Sequence, residues 1–150
     1  MEMPAEDRLG LDIKRAEQAV IGAKTAALRG SGLSVPQYAA LAVLAEQPGI
    51  SGAALARACL VTPQAMAALL KNLQEIGLIE RTPHPWHQKM LETRLTPAGR
   101  EAVRIADAAA VRLERRLAAA FTPAERDSLR ALLARCVEAV QEGWAGPVGP

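Results

Sequence analysis

Thr-Pro pairs begin three of the helices that this sequence predicts, at positions 62–63, 96–97 and 122–123. Threonine is a favourable N-cap, and proline fits the first helical position because its missing N–H would have no intrahelical partner there. Apolar residues follow each pair at spacings of three and four, which is the period of an amphipathic helix. The sequence therefore predicts three amphipathic helices and indicates the residue at which each of them begins.

Other capping signals predict three further helices before residue 62. Residues 9–29 carry one apolar face and are followed by Gly30 and Gly32, which end a helix. Ser34, with Gln37 three residues later, forms a capping-box pattern for a second helix that stops before Pro48. Ser51 caps a short third helix with Leu55 and Cys59 facing inward, and Ile50 before it is a candidate for a very short strand.

The segment from Thr62 to Ile76 predicts a helix that ends at Gly77. Its predicted buried side consists of Met66, Leu69, Leu70, Leu73 and Ile76.

Two short segments after this helix alternate apolar and polar residues, as half-buried strands do. They are LIERT at 78–82 and MLETRLT at 90–96, and the loop between them contains Pro83 and Pro85, which disfavour a helix. The predicted order is four helices, two strands and two helices. This order predicts a mainly α fold, a winged helix-turn-helix with a small β-hairpin wing of two or three strands and additional helices at both ends.

Composition narrows the class of protein without identifying it. A chain of 150 residues with 50% hydrophobic content is predicted to form one domain with its own core. The net charge of +2 is too small to indicate a nucleic-acid partner by itself. Cys59 and Cys136 both lie in apolar helical patterns, where a free thiol behaves as a small hydrophobic group, and no disulfide framework is indicated.

The same sequence predicts a cytoplasmic protein without a membrane segment. Residues 1–14 carry acids and lack the apolar core of a signal peptide. No stretch approaches the roughly 18 apolar residues of a membrane-spanning helix. The glycine-rich phosphate loop, the HExxH zinc motif and the GxSxG nucleophile motif are all missing from the sequence, so we predict that the protein is not an enzyme and needs no cofactor.

Two short helices joined by a tight turn and followed by a hairpin predict a DNA-binding unit at 33–96. In such a unit the second helix enters the major groove, where glutamine and asparagine bond base edges and alanine contacts the thymine methyl group. A basic hairpin tip contacts the DNA backbone, whose phosphates supply much of the affinity. The candidate DNA-binding residues are Thr62, Pro63, Gln64, Ala65, Ala67, Ala68, Lys71 and Asn72 on the second helix, Arg57 on the first, and Arg81, His87, Lys89 and Arg94 on the hairpin.

The run VTPQAMAALLKNLQEIGLIERTPHPWHQKMLETRLTPAGR resembles the core of MarR-type regulators. That family shows a helix, then L…GL(I/V)…R, a polar wing and LT…G, and the helix order matches over nearly the whole chain. The matching residues are Leu73, Gly77, Leu78, Ile79, Arg81, Leu95, Thr96 and Gly99. The resemblance implies a homodimer in which residues 9–30 and 97–142 form the dimerisation layer and 143–150 a flexible tail. It also implies binding to palindromic operators and release by a small ligand or an oxidant.

The wing departs from the family pattern. Family wings usually carry an aspartate followed two residues later by an arginine, and here those positions hold His87 and Lys89. Lysine keeps the positive charge without the forked geometry of the guanidinium group, and His87 cannot replace the orienting carboxylate. The outer helix face also lacks arginine, so DNA shape is expected to contribute to specificity.

Several residues leave two interpretations open. Trp86 is expected to pack on the wing strands, with insertion into DNA as the alternative. His84 and His87 do not fill the four positions of a zinc site, so a solvated or DNA-contacting loop is expected there and no metal. Tyr38 either places its hydroxyl in a ligand cleft between the dimer layer and the DNA-binding unit or packs with that hydroxyl satisfied.

The predicted function is that of a dimeric DNA-binding transcriptional regulator, by default a repressor, whose partners are double-stranded DNA, a second copy of the chain and a small-molecule effector. A long apolar stripe on the fifth helix, either a dimer interface or a monomer core, comprises Val103, Ala106, Ala110, Leu113 and Leu117. The alternative functions are a winged-helix protein-interaction module that has lost DNA binding, and a small-molecule binding protein with no DNA role.

Overall fold

The computed structural model describes residues 3–142, and within them it contains the predicted order of four helices, two strands and two helices. The elements are α1 (Leu9–Leu28), α2 (Val35–Glu46), α3 (Gly52–Ala58), α4 (Pro63–Glu75), β1 (Ile79–Pro83), β2 (Leu91–Leu95), α5 (Pro97–Ala119) and α6 (Pro123–Gln141). Single 3-10 turns flank α1 at Ala5–Asp7 and Arg29–Ser31. The predicted flexible tail at 143–150 lies outside the described residues.

The predicted capping residues are confirmed at the starts of α2, α3, α4 and α6. Ser34 Oγ accepts a hydrogen bond from Gln37 N, and Gln37 Oε1 accepts one from Ser34 N, which completes the capping box of α2. Thr122 and Glu125 form the same reciprocal pair at the start of α6. Ser51 and Thr62 each accept from the backbone N–H three residues later. Local chemistry therefore fixes where these helices begin.

The turn between α3 and α4 and the end of α4 give the helix-turn-helix its shape. The axes of α3 and α4 lie at 110° to each other, within the range of this motif. Leu60 in the turn adopts a left-handed conformation at φ 57°, and its side chain is exposed. Gly77 ends α4 at φ 78°, with Leu78 N donating to Leu73 O and Gly77 N donating to Gln74 O. These two bonds form a Schellman motif, for which glycine is favoured.

Strands β1 and β2 form a two-stranded antiparallel sheet in which Ile79 pairs with Leu95 and Pro83 pairs with Leu91. Each strand therefore differs from its predicted bounds of 78–82 and 90–96 by a residue at its ends. Ile50 is not a strand residue, although Gly49 N donates a 3.0 Å hydrogen bond to Thr93 O beside it. The small sheet carries one inward face, on which Ile79, Thr93 and Leu95 are buried.

The core of the helix-turn-helix comes from every element between α1 and α5. Its fully buried large side chains include Leu28, Leu41, Leu44, Leu55, Met66, Leu70 and Leu73. The prediction that Ile76 is buried is wrong, since its side chain is 52% exposed. At 100° per residue, position 76 lies ~80° away from the line through Met66, Leu70 and Leu73, and the helix ends there.

Thr96 and Gly99 join the end of α4 to the start of α5. Thr96 Oγ1 donates to Gly77 O at 2.6 Å and accepts from Gly99 N at 3.0 Å. A Cβ atom on Gly99 would overlap the Leu78 carbonyl oxygen, so only glycine allows this close approach of the two backbones. These contacts explain why the LT…G pattern has a threonine at position 96 and a glycine at position 99.

The chain separates into two compact units, one up to Leu113 and one from Glu114. The single-domain assignment therefore stays a prediction. In the second unit, described as far as residue 142, Arg126 Nη1 donates to Ala118 O across the α5–α6 turn. Within residues 3–142 no single helix is long and apolar enough to cross a membrane, and only the bent pair α3 and α4 passes that test jointly.

Candidate nucleic-acid interface

Helix α4 presents one apolar side to the core and one polar side to solvent. Met66, Leu70 and Leu73 are at most 1% exposed on the inner side. The exposed residues on the other side, which we call the outer face of α4, are Gln64, Ala65, Ala67, Ala68, Lys71, Asn72 and Glu75. Thr62 and Pro63 at its start are exposed too, so the N-terminal end of the helix is accessible to a phosphate. The structure thus brings together the residues predicted from the sequence on this helix.

Asn72 has a hydrogen-bond partner that the sequence does not predict. Gln37 Nε2, on the first turn of α2, donates a 2.9 Å hydrogen bond to Asn72 Oδ1. The two residues are 35 positions apart, so no local pattern links them. The only available signal was that a capping-box glutamine keeps a second polar atom for another bond.

His84 organises the loop at the end of the hairpin, residues 84–90, which we call the wing tip. Its Nδ1 accepts hydrogen bonds from Trp86 N at 3.1 Å and from His87 N at 3.2 Å. The loop is closed by His84 N donating to Met90 O and Met90 N donating to His87 O. On the other side of the ring, His84 Nε2 lies 3.6 Å from Glu92 Oε1. The wing tip is therefore held by its own hydrogen bonds.

The prediction that Trp86 packs on the wing strands is wrong, because its indole is 87% exposed. Strand pairing ends at Pro83 and Leu91, and Trp86 lies beyond that pair in the loop whose backbone is bonded to His84. His87 and Lys89 are exposed in the same loop. The wing tip thus presents one large aromatic ring and one ammonium group to solvent. Within residues 3–142, no three side chains are grouped to hold a metal ion.

The arginines predicted to contact DNA differ in their surroundings. Arg57 is exposed in the last turn of α3. Arg81 is half-buried, and its Nε donates to Thr93 Oγ1 at 3.2 Å. Arg94 pairs with Glu92 at 3.2 Å and lies against Gly49. Arg81 and Arg94 therefore have contacts that brace the wing, while Arg57 faces solvent.

Tyr38 and Cys59 are engaged within the first unit. Tyr38 is half-buried, and its hydroxyl donates a 2.7 Å hydrogen bond to Asp107 Oδ1 of α5. Cys59 packs against the core, and burial raises the pKa of its thiol. A raised pKa lowers the fraction of reactive thiolate, which argues against a redox role for this cysteine.

Apolar side chains remain exposed on α1 and on α6. Over its 20 residues, α1 buries only Leu28, and α6 buries no residue. The exposed apolar residues are Leu9, Leu11, Ile13 and Ile21 on α1 and Leu129, Leu132, Leu133, Val137 and Val140 on α6. Groups of exposed apolar side chains on one helix are typical of surfaces that contact another molecule.

A short helix with a polar outer face, joined at 110° to the helix before it and followed by an exposed hairpin, defines a winged helix-turn-helix DNA-binding protein. The family model described as MarR family matches residues 31–89. The chain is 36% identical over 109 residues to the HTH-type transcriptional repressor Rv2887 of Mycobacterium tuberculosis, covering 72% of this chain and 78% of that protein. The chain belongs to the MarR family, whose members are transcriptional regulators rather than enzymes.

Solved structures of family members share the fold. The structure of Rv2887 in complex with p-aminosalicylic acid has a TM-score of 0.66 and 30% identity, covering 86% of this chain and 98% of that one. The transcriptional repressor CouR of Rhodococcus jostii, bound to a 23-mer DNA duplex, has a TM-score of 0.79 and 26% identity, covering 91% of this chain and 99% of that one.

Proposed function

We propose that this protein is a homodimeric repressor that occupies a palindromic operator and leaves it when a small-molecule effector binds. The observation that carries the proposal is the outer face of α4, which exposes the amides of Gln64 and Asn72 and the ammonium group of Lys71 in a chain of this family. A similar protein at 36% identity is a repressor, and a similar structure is bound to duplex DNA. The protein would act in the cytoplasm.

In this proposal α4 enters the major groove. Gln64 bonds base edges, the alanines of the outer face contact thymine methyl groups, and Lys71 reaches a phosphate. The start of α4 at Thr62 and Pro63 offers backbone N–H groups to a second phosphate. Arg57 on α3 places a positive charge near the phosphate backbone of the DNA.

The wing tip supplies the second set of contacts. Lys89 approaches the phosphates, and the exposed indole of Trp86 inserts into the neighbouring minor groove, where other DNA-binding proteins place apolar side chains. Arg81 and Arg94 support this loop through Thr93 and Glu92, so their contribution is mainly to its geometry.

Dimerisation covers the apolar residues exposed on α1 and α6. A charged or polar surface would need no partner, but five large apolar side chains on α6 are each between 39% and 67% exposed. Two copies of α4 would then lie about 34–36 Å apart, one turn of DNA. An effector that binds more tightly to a dimer state whose α4 helices are not one DNA turn apart shifts the population towards that state, which does not fit the operator.

Selection of bound sequences from a random duplex library tests the proposal. The expected result is a palindrome with two half-sites one helical turn apart, and affinity for any duplex that falls steeply as salt rises. A DNA binder without a palindrome would contradict the dimeric arrangement. The absence of binding to any duplex at low salt would instead favour a protein-interaction module, for which the alanine-rich outer face of α4 is suited.

A further inference from the structure

Gln37 connects the start of α2 with the DNA-facing side of α4 through a chain of hydrogen bonds. Ser34 N donates to Gln37 Oε1 at 2.9 Å, and Gln37 Nε2 donates to Asn72 Oδ1 at 2.9 Å. Gln37 is half-buried, whereas Asn72 is exposed on the outer face of α4. This series of hydrogen bonds therefore starts at the helix cap of α2 and ends at a residue that is accessible to DNA.

The donor and acceptor of both hydrogen bonds are determined by Ser34 N, the first group in the series. Ser34 N is a backbone donor, so the Gln37 atom that meets it must be the amide oxygen. The other end of the Gln37 amide is then the nitrogen, which only donates, so Asn72 must turn its oxygen towards Gln37. The Asn72 amide nitrogen consequently lies on the side away from Gln37.

We propose that Gln37 is a positioning residue for base recognition, which fixes the Asn72 amide so that α4 presents a hydrogen-bond donor to a base edge. The proposal rests on the function proposed above, since it requires that α4 enters the major groove. An asparagine free to rotate presents oxygen or nitrogen with similar ease, and it discriminates poorly between donor and acceptor edges. Fixing the amide before binding also removes the cost of ordering it in the complex.

The fixed orientation has a defined consequence for sequence preference. Guanine exposes the acceptors N7 and O6 in the major groove, whereas cytosine exposes the N4 amino donor. A donor held at Asn72 favours guanine over cytosine at one position of each half-site. The same donor also suits other acceptor-bearing edges, so the ratio of guanine to cytosine is the informative quantity.

The variant Gln37→Glu reverses the orientation without removing the helix cap. A glutamate at this position still accepts from Ser34 N, because Ser-x-x-Glu is a regular capping box. Its second oxygen now meets Asn72 as an acceptor, so the Asn72 amide turns its nitrogen towards residue 37 and its oxygen towards DNA. The ratio of guanine to cytosine should fall by roughly tenfold, the size expected of one base-edge contact.

Two controls separate this effect from charge and from folding. Gln74→Glu adds one negative charge, as Gln37→Glu does, but places it on α4. Position 74 is two residues from Asn72 and so lies on nearly the opposite side of that helix. It is expected to weaken binding to all sequences alike. The thermal midpoint of Gln37→Glu should equal that of the parent protein, since the cap is kept.

The experiment is library selection with the parent protein, Asn72→Ala, Gln37→Glu, Gln37→Ala and the double variant Gln37→Ala/Asn72→Ala. Asn72→Ala identifies the position that Asn72 reads, and Gln37→Ala should reduce the preference there without adding to the loss in the double variant. A change at that position alone supports the proposal. Unchanged preferences in Gln37→Glu, or additive losses in the double variant, overturn it while the palindrome remains. Failure of the parent protein to bind DNA would refute the proposed function and remove the premise of this inference.

Discussion

The hydroxyl of Tyr38 donates a 2.7 Å hydrogen bond to Asp107 Oδ1 and so ties α2 to α5. The neighbouring residue, Gln37, ties α2 to α4. Helix α2 is thus held by consecutive side chains, one directed to the long helix and one to the outer face of α4.

Replacing Tyr38 with phenylalanine should lower the free energy of unfolding by about 1 kcal/mol, because the ring still packs and the hydrogen bond from its hydroxyl to the Asp107 carboxylate is lost. The value lies below the roughly 1.5–3 kcal/mol of hydrogen bonds to charged groups because the pair is partly exposed. Urea unfolding followed by circular dichroism measures it. Asp107→Asn, which keeps an acceptor, should lose less than Tyr38→Phe, and an equal stability of Tyr38→Phe and the parent would contradict the assigned bond.

The helix boundaries were predictable because their causes are local. Thr62 caps α4 through the backbone N–H of Ala65, three residues away, and Gly77 supplies the left-handed conformation that ends it. Both signals stand in the sequence beside the helix they delimit. For the same reason the order of elements and the polar outer face of α4 could be predicted without coordinates.

The surroundings of Trp86 and Asn72 were not predictable because they depend on contacts that no periodicity encodes. The indole is exposed, and the backbone of its loop is bonded to the His84 ring and not to a strand. Asn72 is oriented by a glutamine 35 residues earlier, which required the packing of α2 on α4 to be known. Side-chain bonds between distant segments were thus the part of the site that the sequence did not reveal.

Replacing His84 with alanine should loosen the wing tip. The backbone N–H groups of Trp86 and His87 lose their acceptor, so their hydrogen exchange should accelerate by roughly tenfold, equivalent to about 1.4 kcal/mol of local stability. Amide exchange measured by NMR resolves both residues. His87→Ala is the matched control, since the His87 ring accepts neither of these bonds, and acceleration in that variant alone would reverse the assignment.

Replacing Lys89 with alanine should weaken binding to every duplex and reduce the dependence of affinity on salt. Each phosphate contact contributes about 0.9 to the slope of log affinity against log salt concentration, so a dimer that loses two wing contacts should lose roughly twice that. Fluorescence anisotropy at several salt concentrations measures the slope. Arg104→Ala removes an equal charge from α5, outside the candidate interface, and a similar change in slope there would show that Lys89 acts only through net charge.

Replacing Gln64 with alanine should relax sequence preference more than it lowers nonspecific affinity. Gln64 is exposed in the first turn of α4, where recognition helices approach base edges. The loss of a bidentate contact removes about 1–3 kcal/mol of discrimination at one position of each half-site. Competition between the selected operator and single-base variants measures this loss. A uniform loss on all sequences would show that Gln64 contacts the backbone instead of a base.

Replacing Leu132 with glutamate should convert the dimer to a monomer. The Leu132 side chain is 49% exposed on a helix that buries no residue of its own, and a carboxylate in a dimer interface at that point would be desolvated without a partner. Sedimentation equilibrium should give a mass near the 15.9 kDa of one chain, against twice that mass for the parent protein. Ala131→Glu is the matched control, because residue 131 is exposed on nearly the opposite side of α6 from the centre of the apolar residues. It should remain dimeric and bind the operator as the parent does. If Leu132→Glu also remains dimeric with unchanged helicity, then the apolar face of α6 is not the surface through which two copies associate, and the spacing of the two α4 helices must be set elsewhere.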